Sequence, residues 1–198
     1  MRRSTTIFAF VLFVASPDDT AIFRITAPYL RPIISTAVTV PKLCLYGEKL
    51  YQYTLVDEYS RWCYREIHAE HNAHASSLFL RNAVKAAPFK IHEVQTDNGH
   101  EFTNALLGQK VIELTRFEEA LAELKIEYRR IRVGTPKHNG RVERQHGLDM
   151  IRFYKRKRQV FVSLEDIRGK LAAYNAWSNS RIKTCLNFRS PIQVIAHA

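Results

Sequence analysis

Two short stretches, each with an acidic residue next to an Asn-Gly pair, restrict the fold of this chain more than any other feature. The first, residues 96–102, reads TDNGHEF and follows an apolar, strand-like run. The second, residues 136–144, reads PKHNGRVER and opens a basic, helix-forming segment. Because Asn-Gly favours a sharp turn, the two patterns predict Asp97 at the end of a strand and Glu143 in the first turn of a helix capped by Asn139.

The hydrophobic periodicity predicts a mixed α/β chain. β-branched residues at 33–40 and alternating apolar residues at 50–56 and 62–68 predict three strands. Apolar residues at helical spacing predict a helix over residues 73–86, which Pro88 ends. Further strands are predicted at 91–95 and 126–131, and further helices at 117–124, 139–158 and 164–177. The aromatic residues Tyr174, Trp177 and Phe188 are expected in the core.

The two acidic stretches, together with residues 56–61 (VDEYSR), resemble the Asp-Asp-Glu transposases and retroviral-type integrases. The resemblance runs from about Val40 to about Val194 and is closest to bacterial insertion-sequence transposases. It implies a ribonuclease-H-like α/β fold, with a mixed central sheet flanked by helices. It also implies DNA recombination, that is, transposition or DNA integration by metal-dependent phosphodiester transesterification. Asp97 and Glu143 would then be catalytic ligands of Mg²⁺ or Mn²⁺, which prefer oxygen ligands.

Each of these residues also has a simpler interpretation. Taken alone, Asp97 is a turn aspartate that caps its own backbone. Glu143 alone is a first-turn acid that interacts with the helix dipole or with Arg144. The joint pattern favours metal ligands for both.

The first aspartate of the resembled family is missing from this sequence. The matching position is about Thr36, and no Asp or Glu lies between Asp19 and Glu48. Asp57 would replace the missing acid only if the strand register differed from the inferred one. We therefore expect a truncated copy of a catalytic core with reduced or no activity. The alternatives are a non-catalytic DNA-binding remnant and a secreted basic nucleic-acid-binding protein.

The charge distribution favours a nucleic-acid partner. The net charge is +11, and residues 129–170 contain thirteen basic and four acidic residues. Such a segment is either a solvated face or a binding site for a polyanion. The favoured polyanion is DNA, and an anionic membrane surface is the second choice. The residues expected to contact DNA are Lys137, His138, Arg141, Arg144, Arg152 and Lys155. The last four of these residues share one face of the predicted long helix. The resemblance also implies a homo-oligomer assembled on DNA ends.

The amino terminus does not fit the rest of the pattern. Arg2-Arg3 precede an apolar run at 7–15, which has the form of a secretory signal, a buried strand or foreign sequence joined to the core. We expect two parts, an atypical segment at 1–34 and an integrase-like core at 35–198, in a cytoplasmic protein. Cys44, Cys63 and Cys185 lack metal-site spacing and are expected to be reduced thiols.

Overall fold

A computed structural model describes residues 32–39 as backbone, and residues 49–104, 113–131, 140–156 and 160–197 in full. The strands are β1 (Pro32–Thr39), β2 (Tyr51–Asp57), β3 (Cys63–His68), β4 (Glu93–Thr96) and β5 (Glu127–Arg130). The helices are α1 (Ala73–Ala86), α2 (Arg116–Glu123), α3 (Gly140–Asp149), α4 (Leu164–Ser180) and α5 (Pro191–Ala196).

The described strands form one five-stranded sheet in the order β3-β2-β1-β4-β5. β1, β2 and β3 are antiparallel neighbours, whereas β1, β4 and β5 run parallel to one another. Parallel strands need crossover connections, and α1 and α2 lie in the segments that connect β3 to β4 and β4 to β5. The mixed sheet expected from the sequence is therefore present.

The sheet buries apolar residues on both faces. On one face Tyr53 and Leu55 pack with Phe79 of α1, Val94 of β4 and Phe117 of α2. This α1/α2 core also contains Trp62, which is buried. On the other face, Leu50 and Ile67 pack with residues of α4 and with Phe153. Because side chains alternate along a strand, residue parity on β2 and β4 indicates which face a side chain occupies.

A buried ion pair joins the sheet to α3 and α4. Arg65 of β3 donates from Nε to Oδ2 of Asp149 at 2.6 Å, and both side chains are at most 1% exposed. Arg65 also donates to Asn175 at 2.9 Å, and Asp149 also accepts from Gln52, Gln145 and Tyr174. A buried ion pair is tolerated when further hydrogen bonds satisfy both partners, and this pair meets that condition.

The long helix expected over 139–158 is interrupted. After Asp149, residues Met150–Tyr154 form a π-helical segment, and the backbone N–H of Lys155 donates to the carbonyl of Met150 at 2.8 Å. This i to i+5 bond changes the angular spacing of the side chains that follow.

Of the three aromatic residues near the carboxy terminus that were expected in the core, only Tyr174 lies there. Tyr174 is buried, but Trp177 and Phe188 are 42% and 68% exposed. Phe188 lies in a tight turn with φ 59°, and the ring of Trp177 instead stacks on Tyr174 and lies against the Arg181 guanidinium.

Candidate functional site

Asp97 lies directly after the last residue of β4, as the sequence predicted. Its Oδ1 accepts a hydrogen bond from the backbone N–H of Gly99 at 3.2 Å. The turn is fixed on both sides, since Thr96 donates to the carbonyl of Asp97 at 2.7 Å and Asn98 donates to the carbonyl of Ile131 at 3.0 Å. One carboxylate oxygen thus caps the turn, which is the simpler of the two expected roles.

The alternation of β4 places the Asp97 side chain on the α3 side of the sheet. Val94 belongs to the α1/α2 core, so the odd-numbered residues, which continue to Asp97, face the opposite way. His146 of α3 supports this placement. Burial lowers the pKa of His146 to about 4, while the charges of Asp149 and Asp97 oppose that shift. The carboxylate of Asp97 is therefore close enough to α3 to affect the pKa of His146.

Glu143 lies in the first turn of α3 and is exposed. Within the part of the chain that the structure describes, its carboxylate forms no hydrogen bond or ion pair, and the expected alternative pairing with Arg144 is not formed. Residues three apart on a helix are neighbours on its surface, so Glu143 is adjacent to His146. The alternation of β4 and the spacing of α3 therefore both indicate the same side of the sheet for Asp97 and Glu143.

The opening strand supplies no carboxylate to this site. β1 reads PIISTAVT, and Ile33 is level with Gln95 of β4. If this register is continued by two residues, Ser35 comes level with Asp97. Thr36, the position that the sequence suggested for the first acid, falls where the pairing of β1 with β2 shifts register between Ser35 and Val38.

Asp57 is not placed to replace the missing acid. Val56 packs against Val142 of α3, so the next residue on β2, Asp57, faces the α1/α2 side. Its Oδ2 accepts from the backbone N–H and the hydroxyl of Ser60, at 2.7 Å and 2.6 Å. Burial raises the pKa of Asp57, and the Ser60 hydrogen bonds oppose that shift. Asp57 is a turn residue on the opposite face from Asp97.

A basic groove with a volume of about 500 Å³ runs between α3 and the end of α4. Its basic lining residues are Arg61, Arg141, Arg144, Arg152, Arg181 and Lys183, and Trp177 also lines it. Three of the predicted DNA-binding residues are therefore brought together with three that the sequence analysis did not select. Arg61 lies far along the chain from Arg181 and Lys183, and neither place contains a local run of charge that would have marked it.

The other predicted DNA-binding residues are not part of this groove as described. Lys155 follows the π-helical segment, so the α-helical spacing that grouped it with Arg141 no longer applies. Lys137 and His138 lie outside the described residues. Arg141 also pairs with Glu58, with a nitrogen-to-oxygen distance of 2.9 Å between an exposed and a partly buried side chain.

Comparison with known proteins places the chain in a family. The model of the integrase core domain family matches residues 33–136. A candidate integrase, ORF3 of a Spiroplasma virus, is 26% identical over 164 residues, which are 79% of this chain and 44% of that protein. The chain thus spans less than half the length of this curated relative.

Solved structures show the same fold. A chain in the simian T-cell lymphotropic virus intasome structure superposes with a TM-score of 0.63 and 16% identity, over 84% of this chain and 54% of that chain. The BIV integrase catalytic core superposes with a TM-score of 0.58 and 15% sequence identity, over 83% of this chain and 93% of that chain. The magnesium-bound HTLV-2 integrase catalytic core superposes with a TM-score of 0.55 and 14% sequence identity, over 84% of this chain and 96% of that chain.

The chain belongs to the integrase core domain family and has its ribonuclease-H-like fold. The transposase and integrase resemblance inferred from the acidic stretches is confirmed. Integrase core domains bind DNA, depend on divalent metal ions and form oligomers.

Two further observations concern the expected cellular environment. In the described part of the chain, no helix is both long and apolar enough to cross a membrane. Cys63 is a buried free thiol and Cys185 an exposed one. Cys44 and the apolar run at 7–15 lie outside the described residues.

Proposed function

We propose that this chain is a transposase or integrase catalytic core in which Asp97 and Glu143 are the ligands of a divalent cation, Mg²⁺ or Mn²⁺. The proposal is supported by the alternation of β4, which indicates the α3 side of the sheet for Asp97, and by the position of Glu143 in the first turn of α3. One oxygen of Asp97 caps the turn, and Glu143 is held by no partner among the described residues. Carboxylate oxygens are the donors that Mg²⁺ prefers.

The chemistry would be phosphodiester transesterification. A bound divalent cation supplies activation of the attacking oxygen and stabilisation of the leaving one. The residues of this chain hold the cation and position the DNA. The turn of Asp97, fixed by Thr96 and Asn98, keeps the first carboxylate in place, and α3 carries the second. The exposed position of Glu143 keeps this ligand accessible to a DNA strand.

The same site predicts low activity. Two cations close together repel each other and need bridging negative charge, and β1 offers none. We expect residual Mn²⁺-dependent or Mg²⁺-dependent nicking at most. Thr36→Asp should raise metal affinity and strand transfer together. Ser35→Asp is the matched comparison because the register of β1 with β4, continued from Ile33 and Gln95, brings Ser35 level with Asp97.

The catalytic part of the proposal is tested with labelled DNA ends and a supercoiled target, in Mg²⁺ and in Mn²⁺. Any nicking should disappear in Asp97→Asn and in Glu143→Gln and persist in Asp57→Asn, whose carboxyl faces the other side. Nicking that survives both of the first two variants would remove these residues from the metal site. Efficient strand transfer by the unmodified chain would contradict the expected low activity.

DNA binding is proposed to use the basic groove. Phosphate contacts give affinity without sequence choice, and each contact contributes about 0.9 to the slope of log affinity against log salt. Replacing Arg141, Arg144 and Arg152 together by Ala should reduce that slope by up to about 3. The matched control removes three charges on the α1/α2 side, with Arg81, Lys85 and Arg116 replaced by Ala. Equal slopes in the two variants would contradict a groove-centred interface.

A non-catalytic DNA-binding remnant is the second candidate function, favoured by the absence of an acid from β1. It predicts the same salt dependence of DNA binding, with no cleavage in either metal.

Three further expectations remain proposals: the division into residues 1–34 and 35–198, oligomerisation on DNA ends and a cytoplasmic location. Mass spectrometry of the intact chain tests the location, because cleavage near Ala15 would indicate export.

A further inference from the structure

Two histidines and a buried carboxylate meet on the side of the sheet opposite to α3. His71 lies between β3 and α1, whereas His100 and Glu101 lie in the turn after β4. The Nε2 atom of His71 is 3.1 Å from Oε1 of Glu101, and Nδ1 of His100 is 3.6 Å from Oε2. One ligand atom from each of the three residues can be chosen so that all lie within 4.8 Å of one another.

The carboxylate of Glu101 is buried without the partners that such a group requires. Its side chain is 1% exposed, and within the described residues neither oxygen has a hydrogen-bond partner. Nε2 of His71 also lacks one, although it lies 3.1 Å from Glu101. An unsatisfied buried carboxylate is costly and rare. The two groups are near each other but do not point at each other as a donor and an acceptor would.

The three side chains are held in place by their surroundings. The ring of His71 stacks on Tyr51, with centroids 5.0 Å apart and an interplanar angle of 13°. The ring of His100 meets His71 edge-on, at 5.2 Å and 85°. The carbonyl of Glu101 accepts from the Ser76 hydroxyl at 2.6 Å, which ties the turn to α1. The ligand set is therefore organised before any ion binds.

Gly99 makes room for this arrangement. A Cβ atom at Gly99 would lie 2.5 Å from Oε2 of Glu101 and 2.7 Å from its other two carboxylate atoms. Only a residue without a side chain allows the carboxylate to pack so closely against its own turn. The glycine that the sequence analysis assigned to a turn thus has a second role in positioning Glu101.

We propose that His71, His100 and Glu101 bind one divalent transition-metal ion of the zinc class. Imidazole nitrogens and a carboxylate are a ligand set of Zn²⁺ and its neighbours, whereas Mg²⁺ prefers oxygen ligands. Ligand atoms that share a zinc at about 2.0–2.2 Å lie about 3.0–3.5 Å apart at usual bond angles. The two distances to Glu101 are close to that range. His100 is exposed, so a water molecule can complete the coordination from one side.

The proposed ion is separate from the cation held by Asp97 and Glu143. Tyr53, a residue of the α1/α2 core, has its ring centroid 6.3 Å from that of His71, which places this cluster on the side away from α3. The ion would join the segment before α1 to the turn that carries Asp97, and so restrain that turn. This inference does not depend on catalytic activity.

The test uses the whole chain, freed of metal with a chelator and titrated with Zn²⁺ by calorimetry and with Co²⁺ by visible absorption. One equivalent should bind, and the Co²⁺ spectrum should show nitrogen coordination. The double variant Asp97→Asn with Glu143→Gln should bind equally well. His100→Ala, which removes an exposed ligand and leaves the core intact, should weaken binding by at least about tenfold, as should His71→Ala.

His74→Ala and His92→Ala are the matched controls, because both histidines are exposed and outside the cluster. They should bind as the parent does. The proposal is overturned if the parent binds no Zn²⁺, if His100→Ala and His71→Ala bind as tightly as the controls, or if the Asp97 and Glu143 double variant loses the equivalent.

Discussion

Removing the carboxylate of Asp149 should destabilise the fold more than any surface change. Asp149 accepts hydrogen bonds from Arg65 at 2.6 Å, Gln145 at 2.8 Å, and Gln52 and Tyr174 at 3.1 Å. Asp149→Ala leaves the buried guanidinium with neutral acceptors only. Breaking a buried pair in this way costs about 3–5 kcal/mol, a large fraction of a typical stability of about 5–15 kcal/mol.

The measurement is urea unfolding at neutral pH, followed by circular dichroism. With an m value of about 1–3 kcal/mol/M, Asp149→Ala should lower the midpoint by at least about 1 M. Glu123→Ala is the matched control because it breaks an ion pair with Arg81 between side chains that are 61% and 40% exposed. Such pairs contribute about 0–1 kcal/mol.

A double variant separates the ion pair from the packing around it. Arg65→Met combined with Asp149→Leu replaces both charges by apolar groups, and such exchanges are often close to neutral. The double variant should therefore be more stable than Asp149→Ala alone. The reasoning fails if Asp149→Ala costs no more than Glu123→Ala, or if the double variant loses the sum of both single losses.

Three further predictions concern single residues. Gly99→Ala should lower the melting temperature, because the new Cβ displaces the buried carboxylate of Glu101. Gly147→Ala, whose new Cβ would meet nothing within 4 Å, should instead raise it by stabilising α3 by about 0.5–1 kcal/mol. Burial raises the pKa of Cys63 to about 11, so a thiol reagent should label it only in the unfolded chain, as peptide mass spectrometry would show. Burial lowers the pKa of His146 from 6.5 to about 4, so the unfolded state binds the proton more tightly and stability should fall as pH drops from 6.5 towards 4. Unfolding midpoints of His146→Gln against pH should lack that component, and parallel pH curves for the two proteins would contradict it.

Local patterns predicted the elements that depend on local physics. The bounds of α1 follow from the apolar stripe, from the Asn72 side chain that accepts from the Ala75 backbone N–H at 2.9 Å, and from Pro88 beyond its end. The turn at Asp97 follows from Asn-Gly in the same way. The break in the long helix at Met150 could not be predicted, because a π turn depends on how the helix packs and no Pro or Gly marks it.

The sequence did not predict the side-chain clusters around Arg65 and around Glu101, because their members are far apart along the chain. Arg65 and Asp149 are 84 residues apart, and an arginine on an alternating strand is normally expected at the surface. His71 and Glu101 are 30 residues apart, and they approach each other where the start of α1 packs against the turn after β4, as the hydrogen bond from Ser76 to the carbonyl of Glu101 shows. The absence of an acid from β1, in contrast, was evident from the sequence alone, since no Asp or Glu lies between Asp19 and Glu48.

The two tryptophans of the chain occupy contrasting environments, and this gives the protein two internal optical reporters. Trp62 is 5% exposed in the α1/α2 core, so its emission should follow folding. Trp177 lines the basic groove at 42% exposure, so a nucleic acid entering the groove should shield it from iodide. Trp62→Phe would leave the groove tryptophan as the single emitter and allow occupancy of the groove to be followed without a label.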